Sequence, residues 1–407
     1  MKRESILIIA LCTSALLLQF TLRTVPNFSL SSLLSSVFFT PSITSVELAD
    51  TYTHAAAPAA RKVKILIIPG HDDASPGASY KNLSEKDINL ALAKELVATF
   101  YGDQLFDVTL SRNENGYNES LIPKLLSEEE VTAFRTVHKE TMEALIAGGK
   151  IERTSGVFHN EALPATARRL YAINKWANEN DFDLIINIHF NDYPGHRART
   201  PGKYSGFSIY VPEKQYSNAG PSLEIGKHIK LALEKIFSVS SHPQENIGVI
   251  EDQELIAIGS FNTLDAAVVL IEYDYIYARA LQNESIRELL LKKYAHETYN
   301  GVKDYFEEVA SQKASTKRYA TLSHEFTKDL ERGATTSTDI FLLQLALSRD
   351  GSYPPEFYTR YQCPLSGKFG ECTEVAVKQF QTKYNISPTG FVGKKTRAIL
   401  NTLGSQL

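Results

Sequence analysis

Three apolar runs in this 407-residue sequence end in a side chain that can bind a cation or carry a proton. "ILIIPGH" delivers His71, "LIINIH" delivers His189 and "AVVLIE" delivers Glu272. Short runs rich in β-branched residues read as buried central strands. In an open α/β sheet, ligands bind in the crevice at the carboxyl ends of the strands. If these three strands are neighbours, their last side chains converge. An acid closing a buried run, or an imidazole inside an alternating strand, costs free energy unless it has a partner or a task.

Glu85 is the fourth candidate. It opens the stretch "EKDINLALAKELVATF", where Ile88, Leu92, Leu96 and Phe100 recur every four residues as one helical stripe. Ser84 followed by Asp87 has a capping-box pattern, which predicts a helix start at Ser84. The positive end of that helix favours an ionised Glu85. Two neutral imidazoles and one carboxylate, with a fourth position open to water, make the catalytic rather than the structural arrangement for zinc. Zinc lowers the pKa of its water to about 7. Hydrolysis of an amide also needs a group that takes the water's proton and hands it to the leaving nitrogen, and Glu272, outside the ligand set, suits that role. Each residue also has a plainer reading, as a loop histidine or an ordinary acid in the first turn of a helix. Asp72, Asp73, His159 and His196 are competing ligands. The two aspartates suit turn hydrogen bonds. His196, in the arginine-rich loop "YPGHRARTPGKYSG", reads as solvated at the border of a cleft.

The elements that must position these residues follow from pattern. Strands are predicted over 62–69, "FDVTLSR", "FDLIINIHFND", "GFSIYVP" and "DAAVVLIEYDYIY". Helices are predicted over "PATARRLYAINKWANEN", "SLEIGKHIKLALEKIF" and the long "ESIRELLLKKYAHETYNGVKDYFEEVA". Strand–turn–helix–strand order signals an α/β layer fold. Residues 113–165 interrupt it. They contain an amphipathic helix starting at Ser127, with Val131, Phe134, Val137, Met142 and Leu145 apolar and Gly148-Gly149 as its stop. Such a helix either covers the cleft until a partner displaces it or packs elsewhere on the surface.

Composition places these elements in a longer plan. The chain is 43% hydrophobic and 22% charged, with a net charge of −4, so nothing favours a nucleic-acid partner. Lys2 and Arg3 precede an apolar run from Ile6 to Leu22, so residues 1–24 read as a signal peptide or membrane anchor, with the bulk of the chain outside the cytoplasm. The absence of a small-x-small cleavage site favours the anchor. Residues 25–60, rich in Ser, Thr, Ala and Pro, read as a flexible spacer, and 313–335 as a second linker. Of the three cysteines, Cys12 lies in the apolar run. Cys363 and Cys372 pair in a disulfide if that end is exported, and otherwise are free thiols. Near the C-terminus, "GKFGECTEVAVKQF" and "GFVGKKTRAILNTL" share the frame Gly-x-x-Gly-x-x-Thr, with each threonine placed to cap a helix.

The motifs "IIPGHDDASPGA", "SEKDINLALAKEL", "RLYAINKWANENDFDLIINIHFND" and "AAVVLIEYDYIY" resemble, over residues 62–310, the zinc-dependent N-acetylmuramoyl-L-alanine amidases. The resemblance implies a central mixed sheet flanked by helices, zinc held by His71, Glu85 and His189, and catalysis by Glu272. Residues 336–407 are similar to the three-helix peptidoglycan-binding module. The implied protein is a cell-wall hydrolase acting on peptidoglycan outside the cytoplasm, with an amidase domain at 61–312 and a small all-α domain at 336–407. Departures from the family pattern are Asp72-Asp73 for Gly-Gly, Ser75 for the Asp before Pro-Gly, Tyr273-Asp274-Tyr275 after the catalytic glutamate, and a longer segment between Glu85 and His189. The same residues also fit a zinc peptidase acting on the stem or cross-link, or a wall-binding protein whose amidase-like domain has lost activity.

Overall fold

The apolar runs become the centre of a six-stranded mixed sheet in the computed structural model, which describes residues 42–55, 60–154, 156–157, 161–197, 199–310, 324–359 and 362–404. Its strands are β1 (Val63–Pro69), β4 (Phe106–Leu110), β7 (Leu184–Asn191), β8 (Ser208–Pro212), β9 (Val249–Asp252) and β10 (Ala267–Tyr275), in the order β4-β1-β7-β10-β8-β9. Only the β10–β8 pairing is antiparallel. Short pairs β2 (Ser79–Tyr80) with β3 (Leu83–Ser84), and β5 (Arg112–Asn113) with β6 (Gly116–Tyr117), lie outside this sheet.

Side-chain alternation divides the sheet into two faces. Ile65 and Ile67 of β1, Ile186 and Ile188 of β7, and Val269 and Ile271 of β10 pack with three helices on one face, α2 (Glu85–Tyr101), α6 (Ala219–Glu234) and α7 (Glu284–Ala310). Leu66, Ile185, Val268 and Leu270 pack on the other face against α5 (Pro164–Glu179) through Ile173, Trp176 and Ala177. At roughly 1.5–3 kcal/mol for each large apolar side chain removed from water, these two cores fix which way every strand faces.

Several elements differ from the sequence expectation. Residues 45–55, inside the stretch read as a flexible spacer, form helix α1 (Ser45–Ala55). Leu48 and Tyr52 enter the larger core, and Tyr52 stacks on Phe306 of α7 with ring centroids 5.2 Å apart. Helix α2 begins directly after Ser84, as its pattern predicts, but the Ser84 side chain makes no capping bond. Within 113–165 lie α3 (Ile122–Leu126) and α4 (Glu128–Ala147). On α4, Val131, Met142 and Leu145 are buried, whereas Val137 is exposed.

The C-terminal region is all-α, with helices α8 (Thr338–Asp350), α9 (Glu371–Lys383) and α10 (Lys394–Gly404) around their own core. The end of the stretch read as a linker belongs to this core, because Phe326 and Leu330 are buried in it. Thr373 and Thr396 do not cap helices. They lie inside the first turns of α9 and α10 and accept hydrogen bonds from Gln344 and Gln381. Cys363 and Cys372 are joined in a disulfide, with Cα atoms 5.7 Å apart. Among the described residues no helix is long and apolar enough to cross a membrane, and the run from Ile6 to Leu22 lies outside them.

Candidate metal centre

β1 and β10 both pair with β7, in parallel, so the three apolar runs are neighbours. Glu272 is the register partner of His189. Counting by twos from Ile185, Val268 and Leu270 places both side chains on the α5 face. His71 stands two residues beyond the end of β1 and adopts a positive φ of 65°, a conformation an L residue holds only when its surroundings enforce it. The enforcing structure is the turn that follows. Asp72 Oδ1 accepts from the backbone N–H groups of Ala74 (3.0 Å) and Ser75 (2.8 Å). The turn brings the Ser75 carbonyl 3.1 Å from His71 Nδ1. Because a carbonyl only accepts, Nδ1 carries the proton and Nε2 offers its lone pair.

Glu85, the first residue of α2, is buried. Its Oε2 accepts from the Ala78 N–H at 2.8 Å, and its Oε1 lies 3.2 Å from His71 Nε2 and 3.0 Å from His189 Nδ1. One ligand atom each from His71, Glu85 and His189 lies within 4.8 Å of the others. Two glycines make the approach possible. A Cβ at Gly77 would sit 2.3 Å from Glu85 Oε2, and one at Gly70 would sit 2.2 Å from His189 Cε1.

The electrostatics suit a cation. Burial works against ionisation of Glu85, but hydrogen bonds and charge from His189 and His71 hold its carboxyl well below the usual carboxylate range. Burial pushes His189 down, toward the neutral form that binds metals. At His71 burial, the largest single influence, acts in the same sense, but the bond to Glu85 and its charge, the Ser75 carbonyl and the charge of Asp72 together outweigh it, so that its pKa is raised. Two imidazole nitrogens and a carboxylate oxygen, oriented by Ser75 and Ala78, are the donor set a divalent transition metal takes. These residues fit such an ion. Glu272 stands beside the set, and its Oε2 is buried with no hydrogen-bond partner among the described residues. Burial, then the charges of Glu85 and Glu245, push its pKa well above the ordinary glutamate value.

The competing ligands go elsewhere. Asp73 is exposed and pairs with Lys86 at 3.1 Å. Asp72 makes the turn bonds expected of it and something sequence reading missed. Its Oδ2 accepts from Tyr117 Oη at 2.7 Å and from Arg169 Nε at 3.1 Å. His196 is not solvated: its ring lies 4.6 Å from that of Tyr277, Nε2 donates to the Thr200 carbonyl, and Nδ1 is 2.8 Å from Asp192 Oδ1. His159 lies outside the described residues.

All four candidate residues line one cleft of about 1210 Å³. Arg135, Met142, Glu143 and Ile146 of α4 form part of its wall, and Tyr193, Pro194 and Gly195 another part. Thus the inserted helix borders the site rather than packing far from it.

Residues 65–304 match the family described as "N-acetylmuramoyl-L-alanine amidase". The chain belongs to that family. Residues 336–400 match a second family, described as "Putative peptidoglycan binding domain". A relative from Buchnera aphidicola, named "Putative N-acetylmuramoyl-L-alanine amidase", is 22% identical over 262 residues, which cover 60% of this chain and 95% of the relative. Among solved structures, the CwlD amidase of Clostridioides difficile, in complex with the GerS lipoprotein, is 20% identical. It covers 61% of this chain and 100% of its own, with a TM-score of 0.39. The amidase Ami1 of Mycobacterium smegmatis is 14% identical, covering 60% and 97%, also with a TM-score of 0.39. As an N-acetylmuramoyl-L-alanine amidase, the enzyme hydrolyses the amide between N-acetylmuramic acid and L-alanine in peptidoglycan. That polymer is its substrate and, through the C-terminal module, its binding partner, so it acts outside the cytoplasm.

Proposed function

We propose that this amidase is zinc-dependent, with His71, Glu85 and His189 as ligands and Glu272 as the proton carrier. Its support is the convergence of two imidazoles and a buried carboxylate, beside a glutamate whose Oε2 has no partner among the described residues. A bound zinc ion supplies Lewis acidity, polarising a carbonyl oxygen and acidifying a water near neutral pH. The protein's own groups do the rest. Glu272 takes a proton from the attacking water as its oxygen bonds to the lactyl carbonyl carbon. It then delivers that proton to the L-alanine nitrogen as the C–N bond breaks. The products are a lactyl carboxylate on the sugar and a stem peptide with a free amino terminus. A raised Glu272 pKa serves both halves of this cycle, since the group must accept a proton and also release it.

The apolar run from Ile6 to Leu22 tethers the enzyme to the membrane or directs its export, and the amidase and wall-binding regions occupy 61–312 and 336–407. Metal analysis and product assay on purified protein test the site. Glu272→Gln should keep zinc and lose about 10²–10⁴-fold in release of stem peptides from purified wall. His71→Ala and His189→Ala should lose both zinc and activity. Full activity in Glu272→Gln removes that residue from the mechanism, and cleaved cross-bridges without free L-alanine amino termini overturn the bond assignment.

A further inference from the structure

The amide cut by this enzyme joins two unlike halves: a neutral sugar ring on one side, and a peptide bearing free carboxylates on the other. A cleft that seats such a bond discriminates best if each half meets its own chemistry. The two sides of this cleft differ in that way.

Tyr193 lines the cleft four residues beyond His189. It packs with the core on the α2–α6–α7 face. Its ring is braced edge-on by Tyr204, with centroids 5.0 Å apart, and by Tyr277 at 6.2 Å. The ring is only half-buried, and its hydroxyl has no hydrogen-bond partner among the described residues. A rigid, partly exposed aromatic ring with a free polar tip is a low-entropy platform for a sugar face.

Arg169 lines the same cleft from α5, the helix on the opposite face of the sheet. Its Nε donates to Asp72 Oδ2 at 3.1 Å and its Nη2 to Thr166 Oγ1 at 3.2 Å. Its Nη1 has no partner among the described residues. Asp72 follows His71 directly, so the guanidinium is tied to the turn that carries a proposed ligand. An arginine held by one edge keeps its other edge preorganised for a carboxylate.

We propose that Tyr193 stacks on the sugar and Arg169 binds a carboxylate of the stem peptide, so that the scissile bond lies across the strand ends with the glycan toward the loop after β7 and the peptide toward α5. The assignment rests on the zinc-amidase reading of the site.

The test uses the full chain with zinc and three soluble substrates: a lactyl-peptide without sugar, a muramyl-peptide with a free carboxylate on the residue after L-alanine, and the same compound amidated there. Wild-type kcat/KM should favour the sugar and the free carboxylate. Tyr193→Ala should cut the sugar preference about ten-fold and leave the carboxylate preference, whereas Tyr193→Phe retains both. Arg169→Gln should cut the carboxylate preference about ten-fold and leave the sugar preference, with partial rescue in Arg169→Lys. Thermal melting checks that each variant is folded. Unchanged ratios, or effects that cross over between the two residues, overturn the assignment. Binding of the same compounds to Glu272→Gln protein, alone and combined with each variant, reads the ratios without turnover. Ratios that follow the two residues in binding, with no peptide released by wild type, sink the amidase reading and leave this one standing.

Discussion

Glu245 carries its carboxylate inside a shell of donors. Tyr210 Oη (2.9 Å) and Asn191 Nδ2 (3.0 Å) donate to Oε1, and Ser240 Oγ (2.6 Å) and Tyr275 Oη (3.0 Å) to Oε2. It is buried, and its charge is one cause of the raised pKa of Glu272, after burial and the charge of Glu85. In the role proposed for it, Glu272 must be ionised to accept the water's proton, so protonation at low pH would stop the reaction, and a raised pKa would place that stop at higher pH. Removing the Glu245 charge lowers the pKa of Glu272. Glu245→Gln should therefore shift the acid limb of the kcat/KM–pH profile to lower pH, while zinc content stays the same. A limb that does not move would show that the Glu245 charge is screened from the site. Sequence reading reached His71, Glu85, His189 and Glu272 because each closes an apolar run or heads a periodic helix. Glu245 lies in "SHPQENIG", which has the composition of an exposed loop, and only the tertiary fold buries it. Arg169 and Tyr117 were hidden for a related reason: their partner, Asp72, is distant in sequence and carries no pattern that points to them.

At the scale of elements, the Gly-x-x-Gly-x-x-Thr repeat has a physical cause that differs from capping. In the first copy, Gln344 Oε1 accepts from the Gly367 N–H, while its Nε2 donates to the Lys368 carbonyl and to Thr373 Oγ1. In the second, Gln381 Oε1 accepts from the Gly390 N–H, while its Nε2 donates to the Phe391 carbonyl and to Thr396 Oγ1. One glutamine on the preceding helix thus staples each glycine turn to the helix that follows it. Both glutamines are buried, so truncating one leaves several polar groups without partners, at about 1–3 kcal/mol each. Gln381→Ala should destabilise the C-terminal module by about 2 kcal/mol or more in urea unfolding followed by circular dichroism. Thr382→Ala, which removes only an exposed hydroxyl bonded to the Lys378 carbonyl, should stay within about 0.5 kcal/mol of wild type. Equal losses in the two would remove the staple's special role. The repeat was visible in sequence because its glycines and threonines are fixed in spacing. The glutamines were not, because they lie 23 and 9 residues before their glycines, at unequal distances. Helix α1 was missed for the opposite reason. Its core residues Leu48, Tyr52 and Ala55 have helical spacing, but Ser, Thr, Ala and Pro around them dominate the composition of 25–60.

At the scale of the whole molecule, helix α8 ties the wall-binding module to the amidase core. Ile340, Leu343 and Leu347 face the module's own core, whereas Phe341 and Leu345, four residues apart on another face, enter the core of the amidase region. Arg349 Nη2 lies 3.8 Å from Glu297 Oε1 of α7, and a Cβ on Gly367 would meet Ile286 Cδ1 at 2.4 Å. The module is thus seated on α7 rather than trailing on a free tether. A flexible tether raises the local concentration of substrate, whereas a seated module also fixes how the bound polymer approaches the cleft. Phe341→Ala separates the two effects. It removes a fully buried ring at the junction, at about 3–5 kcal/mol for such a truncation, without touching the module's own core or the four site residues. Turnover of a soluble muramyl-peptide should be unchanged. Hydrogen exchange in α7 around residues 286–297 should speed up, and digestion of intact wall should fall several-fold although wall binding persists. If digestion of intact wall were unaffected while α7 exchange rose, the seating would be a matter of stability alone. If α7 exchange did not change at all, α8 would not be holding the two regions together.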